Sequence, residues 1–126
     1  MKNSVPFVLL LLLITTACFQ PERNCTDFKT GTFEFEAEVN GVKEKTTFFR
    51  NDSIEIDYYQ GVADTSSIRW LSDCEYILTK LHPKNNQERK PIHMKILTTK
   101  GDTYVFEFSM VGDAENKHKG TVKKLE

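Results

Sequence analysis

The most reactive side chains in this sequence are three cysteines, Cys18, Cys25 and Cys74, and three histidines, His82, His93 and His118. A structural zinc site needs Cys or His ligands converging at short, regular spacings. A redox dithiol needs Cys-x-x-Cys. Neither pattern occurs. The histidines are scattered: His82 adjoins Pro83 in a polar stretch, and His118 lies near the C-terminus. They read as separate surface residues, and no metal or other cofactor is expected. No Gly-x-Ser-x-Gly elbow marks a nucleophile, and no glycine-rich loop marks a phosphate site. Glu34, Glu36 and Glu38 recur at every second position, which on one strand face sets them roughly 7 Å apart. That spacing suits either a divalent cation or cross-strand pairing with Lys43 and Lys45, and pairing is the expectation.

The N-terminus explains one cysteine. Lys2 precedes an uncharged, strongly apolar run from Val5 to Ile14, followed by Thr15-Thr16-Ala17. This is the anatomy of a secretory signal over residues 1–17. The run is about half the ~20 residues that a membrane-spanning helix needs. Thr15-Thr16-Ala17-Cys18 resembles the lipobox of bacterial lipoproteins, with Thr15 where Leu is usual. The resemblance implies that Cys18 becomes the acylated first residue of the mature chain. Several acyl chains on one residue anchor far more firmly than one. The lipid partner is then the membrane of the cell envelope, with the outer membrane as the expected site.

With Cys18 acylated, Cys25 and Cys74 remain, and an even pair in an oxidising compartment points to a disulfide. Two separate buried thiols are the alternative. Cleavage before Cys18 takes 17 of the 126 residues and leaves 109, enough for one domain with its own core. The mature chain carries 16 basic and 18 acidic side chains, since Lys2 is the only charge removed. So near-neutral a balance gives no basic face for nucleic acid.

The elements that would position these residues are strands. Phe33, Phe35, Ala37 and Val39 alternate with the three glutamates, as in a half-buried antiparallel strand. Asn40-Gly41 is a hairpin signal, and residues 42–50 return. Asn51-Asp52 turns into residues 53–59, where Ile54, Ile56 and Tyr58 share the expected inner face. Further strands are expected at 66–71, carrying Ile68 and Trp70, and at 74–81. A proline-bounded polar loop, 83–91, separates these from strands at 92–99, 103–110 and 121–125. Residues 18–27 read as an anchor and short tether, and 28–126 as the domain. About eight short antiparallel strands in sequence order favour an up-and-down meander that closes to hide its edges.

Gly31-Thr-Phe33, Ile68-Arg-Trp70-Leu-Ser-Asp-Cys-Glu-Tyr76 and Gly101-Asp-Thr-Tyr104-Val-Phe106 resemble the lipocalin-like lipoproteins of the Bacteroidota, among them small flavobacterial lipoproteins of unknown function. The resemblance implies a lipocalin-like barrel or half-barrel. Asp52-Ser53-Ile54 resembles the short sequence O-glycosylated in the same bacteria, which makes Ser53 a modification candidate. An eight-stranded barrel is just wide enough to be filled by side chains or to hold one small ligand. Phe33, Phe35, Tyr58, Trp70, Phe106 and Phe108 are the residues expected to fill that interior or to line a cavity. The expected function is non-catalytic: binding a small apolar ligand or, with a filled core, a structural or protein-interaction role in the envelope.

Overall fold

The computed structural model describes residues 22–39 and 41–126. Cys18, the signal segment and Asn40 lie outside the described residues. A 3₁₀ helix, Cys25–Phe28, precedes eight strands: β1 Gly31–Val39, β2 Val42–Arg50, β3 Ile54–Tyr59, β4 Val62–Trp70, β5 Glu75–Lys80, β6 Ile92–Lys100, β7 Thr103–Met110 and β8 His118–Lys124. Each pairs antiparallel with the next, and β8 pairs with β1, so the sheet is a closed barrel. The closing seam matches Phe33, Glu34 and Phe35 with Lys124, Lys123 and Val122. It continues past β8 through Leu125 N–H to the Thr32 carbonyl (2.8 Å) and Thr32 N–H to the Glu126 carbonyl (3.0 Å). Every strand therefore has two neighbours, which removes the exposed edges that a meander would otherwise carry.

Local chemistry sets the turns. Gln60 and Gly61 both have positive φ (49° and 78°), as a two-residue type I′ hairpin requires. Tyr59 consequently faces Val62 directly, and β4 starts at Val62 rather than near Ser66. β8 likewise starts at His118, before the expected Thr121, because Glu107 and Phe108 of β7 pair with Lys119 and His118. This places Gly120 inside a strand, opposite Phe106. A β-carbon there would lie 2.7 Å from the Phe106 ring and 2.8 Å from the Phe35 ring, so glycine makes room for both aromatics.

One barrel end is plugged. The 3₁₀ helix lies across it, with Cys25 and Phe28 buried. Cys25 is disulfide-bonded to Cys74 (S–S 2.04 Å), the pairing expected from the cysteine count. Residues 22–24, read from sequence as tether, are fastened to β6. Thr99 N–H donates to the Glu22 carbonyl and Asn24 N–H to Thr99 Oγ1, both at 2.8 Å. The β6–β7 register shifts between Ile96 and Thr98, and there Arg23 Nε donates to the Leu97 carbonyl at 2.8 Å. Residues 22–24 are thus part of the domain. The core gathers Cys25, Phe28, Phe33, Phe48, Ile96, Tyr104, Phe106 and Val122.

Candidate functional site

Side-chain parity builds the barrel interior. Phe33 and Phe35 on β1 face inward, and their partners Phe48 and Thr46 on β2 do the same. Arg50 shares that face two residues on, so a guanidinium points into the core at 1% exposure. Its partner on β3 is Glu55, and the partner of Phe48 is Asp57. The inner face of β3 is therefore Glu55 and Asp57. This overturns the expectation for Tyr58, which is 46% exposed and points outward, with Ile54 and Ile56 on its side of the strand. A buried guanidinium needs a carboxylate, and the register of the tight β2–β3 turn supplies one from the face that looked solvated.

Arg50 organises the floor. Its Nε donates to Glu55 Oε2 (3.0 Å), Nη1 to the Phe28 carbonyl (2.8 Å), and Nη2 to the hydroxyls of Tyr76 (2.7 Å) and Tyr104 (3.1 Å). The guanidinium also sits 4.9 Å from the Phe33 ring centre and 4.8 Å from that of Tyr76. Burial opposes its charge, but the phenol oxygens and the carboxylate override that and raise its pKa further. Burial pushes both tyrosine hydroxyls up, against the pull of Arg50, so they stay neutral donors and acceptors.

Above the floor is a cavity of about 240 Å³. Phe35, Phe48, Leu78, Met94, Phe106 and Phe108 supply most of its wall, and Arg50, Glu55 and Asp57 its polar side. An apolar cavity of roughly 150 Å³ already accepts benzene, so this one suits a compact molecule somewhat larger. The cavity shares Asp57 with a wider polar mouth of about 590 Å³ at the open barrel end. There Lys80 bridges Asp64 (2.8 Å) and Glu88 (3.1 Å). Lys84 N–H donates to Glu88 (2.7 Å), which holds the loop of residues 81–91 against the rim.

Phe35, Phe106 and Phe108 therefore line the cavity, while Phe33, at 0% exposure, lies in the core. Trp70 packs at the plugged end, with its ring 4.6 Å from Tyr76 and Lys29 Nζ 5.0 Å above it. Ser53 is exposed in the β2–β3 turn, its N–H donating to Asn51 Oδ1. The glutamates of β1 do pair across the hairpin, Glu36 with Lys43 at 3.5 Å and Glu34 with Lys45 at 3.7 Å. His93 contacts Glu75 (3.0 Å), and His118 lies against Phe108. Among the described residues no His, Cys, Asp or Glu cluster is arranged to hold a metal. Sequence reasoning missed Arg50, Glu55 and Asp57. The legible signal was parity, because Arg50 must share the face of Phe48.

Asp57 is the unusual group of the site. Burial, then the neighbouring Glu55 and Asp64 carboxylates, push its pKa up to about 8, and Arg50 only partly offsets them. The unfolded chain gives up this proton near pH 4, whereas the folded protein keeps it to about 8. Folding therefore binds a proton between those values, and this group's effect is to lower stability as pH rises through that window. Below the window it adds no penalty, and above it the penalty is full and constant. Asp57→Asn keeps the shape without the charge. Urea titrations should find the variant more stable than the parent by more than ~1 kcal/mol at pH 8, the equivalent of a single pKa unit, and about equal to it at pH 4.

No known protein family, curated protein or solved structure matches the chain.

Proposed function

We propose that this protein is a non-catalytic envelope lipoprotein whose barrel binds a small, largely apolar ligand. The observation that carries this reading is the aromatic cavity, which opens to solvent through a polar mouth. Binding pockets combine apolar walls with a few convergent polar groups in this way. The signal-like leader and the lipobox-like Cys18 support the envelope location. Glu22 is fastened at the plugged end, and the four residues from Cys18 to it span at most roughly 14 Å of chain. An acyl anchor on Cys18 would hold the plugged end toward the membrane and leave the mouth facing away from it.

Two measurements test the reading. Native mass spectrometry of the detergent-extracted protein should show the added mass of a diacylglyceryl cysteine and release a bound small molecule on activation. Calorimetric titration should show phenylpropanol, an apolar alcohol of suitable size, binding one to one. Met94→Trp, which fills the cavity from its wall, should abolish that binding while the barrel stays folded. If phenylpropanol and its charged analogues of the same skeleton all fail to bind the parent protein, the ligand-binding reading falls.

A second reading has one observation in its favour. The outer face of β2 and β3 carries Phe49, Ile54, Ile56 and Tyr58 together, with Phe49 and Tyr58 clearly exposed. An apolar outer face of this kind supports an interaction role with an envelope protein. That role predicts that Phe49→Ser with Tyr58→Ser removes a partner captured by crosslinking in cells, with phenylpropanol binding unchanged.

A further inference from the structure

The charges inside the barrel do not balance. Arg50 is matched by Glu55 at 3.0 Å, and Asp64 by Lys80 at 2.8 Å. Among the described residues no Lys, Arg or His nitrogen comes within ion-pair distance of Asp57. Two carboxyl groups therefore line the cavity beside a single guanidinium, and at least four of that guanidinium's N–H bonds are already spent on Glu55, Phe28, Tyr76 and Tyr104. An anionic ligand would meet two carboxyls and few free donors. A cation would meet Asp57, a half-buried carboxyl set against Glu55 with no cationic side chain paired to it, in a cavity whose aromatic walls attract positive charge. Of these, Phe48 already lies under Arg50, 5.3 Å from it, which leaves Phe35, Phe106 and Phe108 to the ligand.

Building on the ligand-binding reading above, we propose that the cavity takes a small organic amine as its ammonium ion, with Asp57 as counter-ion and the phenylalanine rings around its apolar body. Entry through the mouth passes Asp64, Lys80, His82, Lys84 and Glu88. Lys80 is tied to Asp64 and Glu88, so the rim does not present it as a free cation. In the empty protein the missing positive charge is supplied by a proton on Asp57. The ammonium ion replaces that proton, which leaves to solvent, and the interior then holds two cations against two carboxylates.

The groups facing Asp57 are Arg50 from β2, Glu55 on β3 itself and Asp64 from β4, with Lys80 of β5 held beyond Asp64. Two of these three direct neighbours are acidic, so Asp57 gives up its proton only near pH 8. Amine affinity should accordingly rise about tenfold per pH unit up to that point. It should then stay level until the amine loses its own proton near pH ~10.

The test compares phenylpropylamine, phenylpropanol and phenylpropionate, one skeleton with three charges, by calorimetric titration of the full chain at pH 8. The amine should bind at least tenfold more tightly than the alcohol, and the carboxylate more weakly than either. Titrations below pH 7 in buffers of different ionisation enthalpy should show about one proton released per amine bound. Asp57→Asn, which should be the more stable protein, should erase the difference between amine and alcohol. Alcohol binding as tightly as amine, with no proton released, overturns the amine assignment and leaves the cavity reading standing. Silence from all three probes overturns both.

Discussion

Arg50→Met should lower the unfolding free energy by about 3–5 kcal/mol, because it leaves the Glu55 carboxylate buried and without a partner. For a domain whose total stability is about 5–15 kcal/mol, a loss of that size moves the thermal midpoint down by roughly 15 °C or more. The pair is almost fully enclosed, Arg50 at 1% and Glu55 at 5% exposure, so solvent reaches the orphaned charge only by way of the cavity. Removing both partners is a different experiment. Arg50→Met with Glu55→Leu deletes the ion pair and fills its space with apolar atoms, and such exchanges are often neutral. The double variant should recover most of the loss. If Arg50→Met alone costs under ~1 kcal/mol in urea titrations, the ion pair does not organise the floor as described.

Loss of the disulfide is the second large effect. Cys25 and Cys74 are 49 residues apart in sequence, and closing a loop of that length stabilises by roughly 4 kcal/mol in the chain-entropy model. Cys25→Ser with Cys74→Ser, or reduction of the parent, should cost about that much in denaturant titrations. The two effects should not simply add. Cys25 begins the 3₁₀ helix that ends at Phe28, and the Phe28 carbonyl accepts a hydrogen bond from Arg50 at 2.8 Å. Freeing the plug loosens one of the guanidinium's acceptors, and residues that share a network couple in this way. The triple variant should therefore lose less than the sum of the separate losses. Reduction should also raise amide exchange at Phe28 before it does so in β7, since the plug is held by fewer neighbours than the barrel wall.

The placement of Asp57 has a stability consequence that bears on its role. A carboxyl that gains a proton on folding works against the folded state at neutral pH. Groups that cost stability, face a cavity and show strongly displaced titration are candidates for function. The outward turn of Ile54, Ile56 and Tyr58 fits the same account. β3 gives up apolar burial so that Glu55 and Asp57 can occupy the interior beside Arg50.

By itself the sequence determined that the body of the domain is antiparallel strands joined by turns. Period-two alternation in residues 31–39 and 103–110, with glycine turns at 41, 61 and 101, settles strand order and antiparallel sense, because those signals are local. The pairing of Cys25 with Cys74 was legible by count once Cys18 was set apart. Three things were left to the tertiary structure. Closure was expected, but its completeness and its seam were not: Phe33–Phe35 meet Val122–Lys124 across almost the whole chain, a contact that no local pattern encodes. The fastening of residues 22–24 depends on hydrogen bonds to Leu97 and Thr99 of β6, more than seventy residues further along the chain. The polarity of β3 depends on register. Alternation defines two faces of Ile-Glu-Ile-Asp-Tyr but does not say which is wet, and a slip of one residue exchanges them. Pairing with Arg50 decided for the acidic face, and that choice places Asp57 in the cavity.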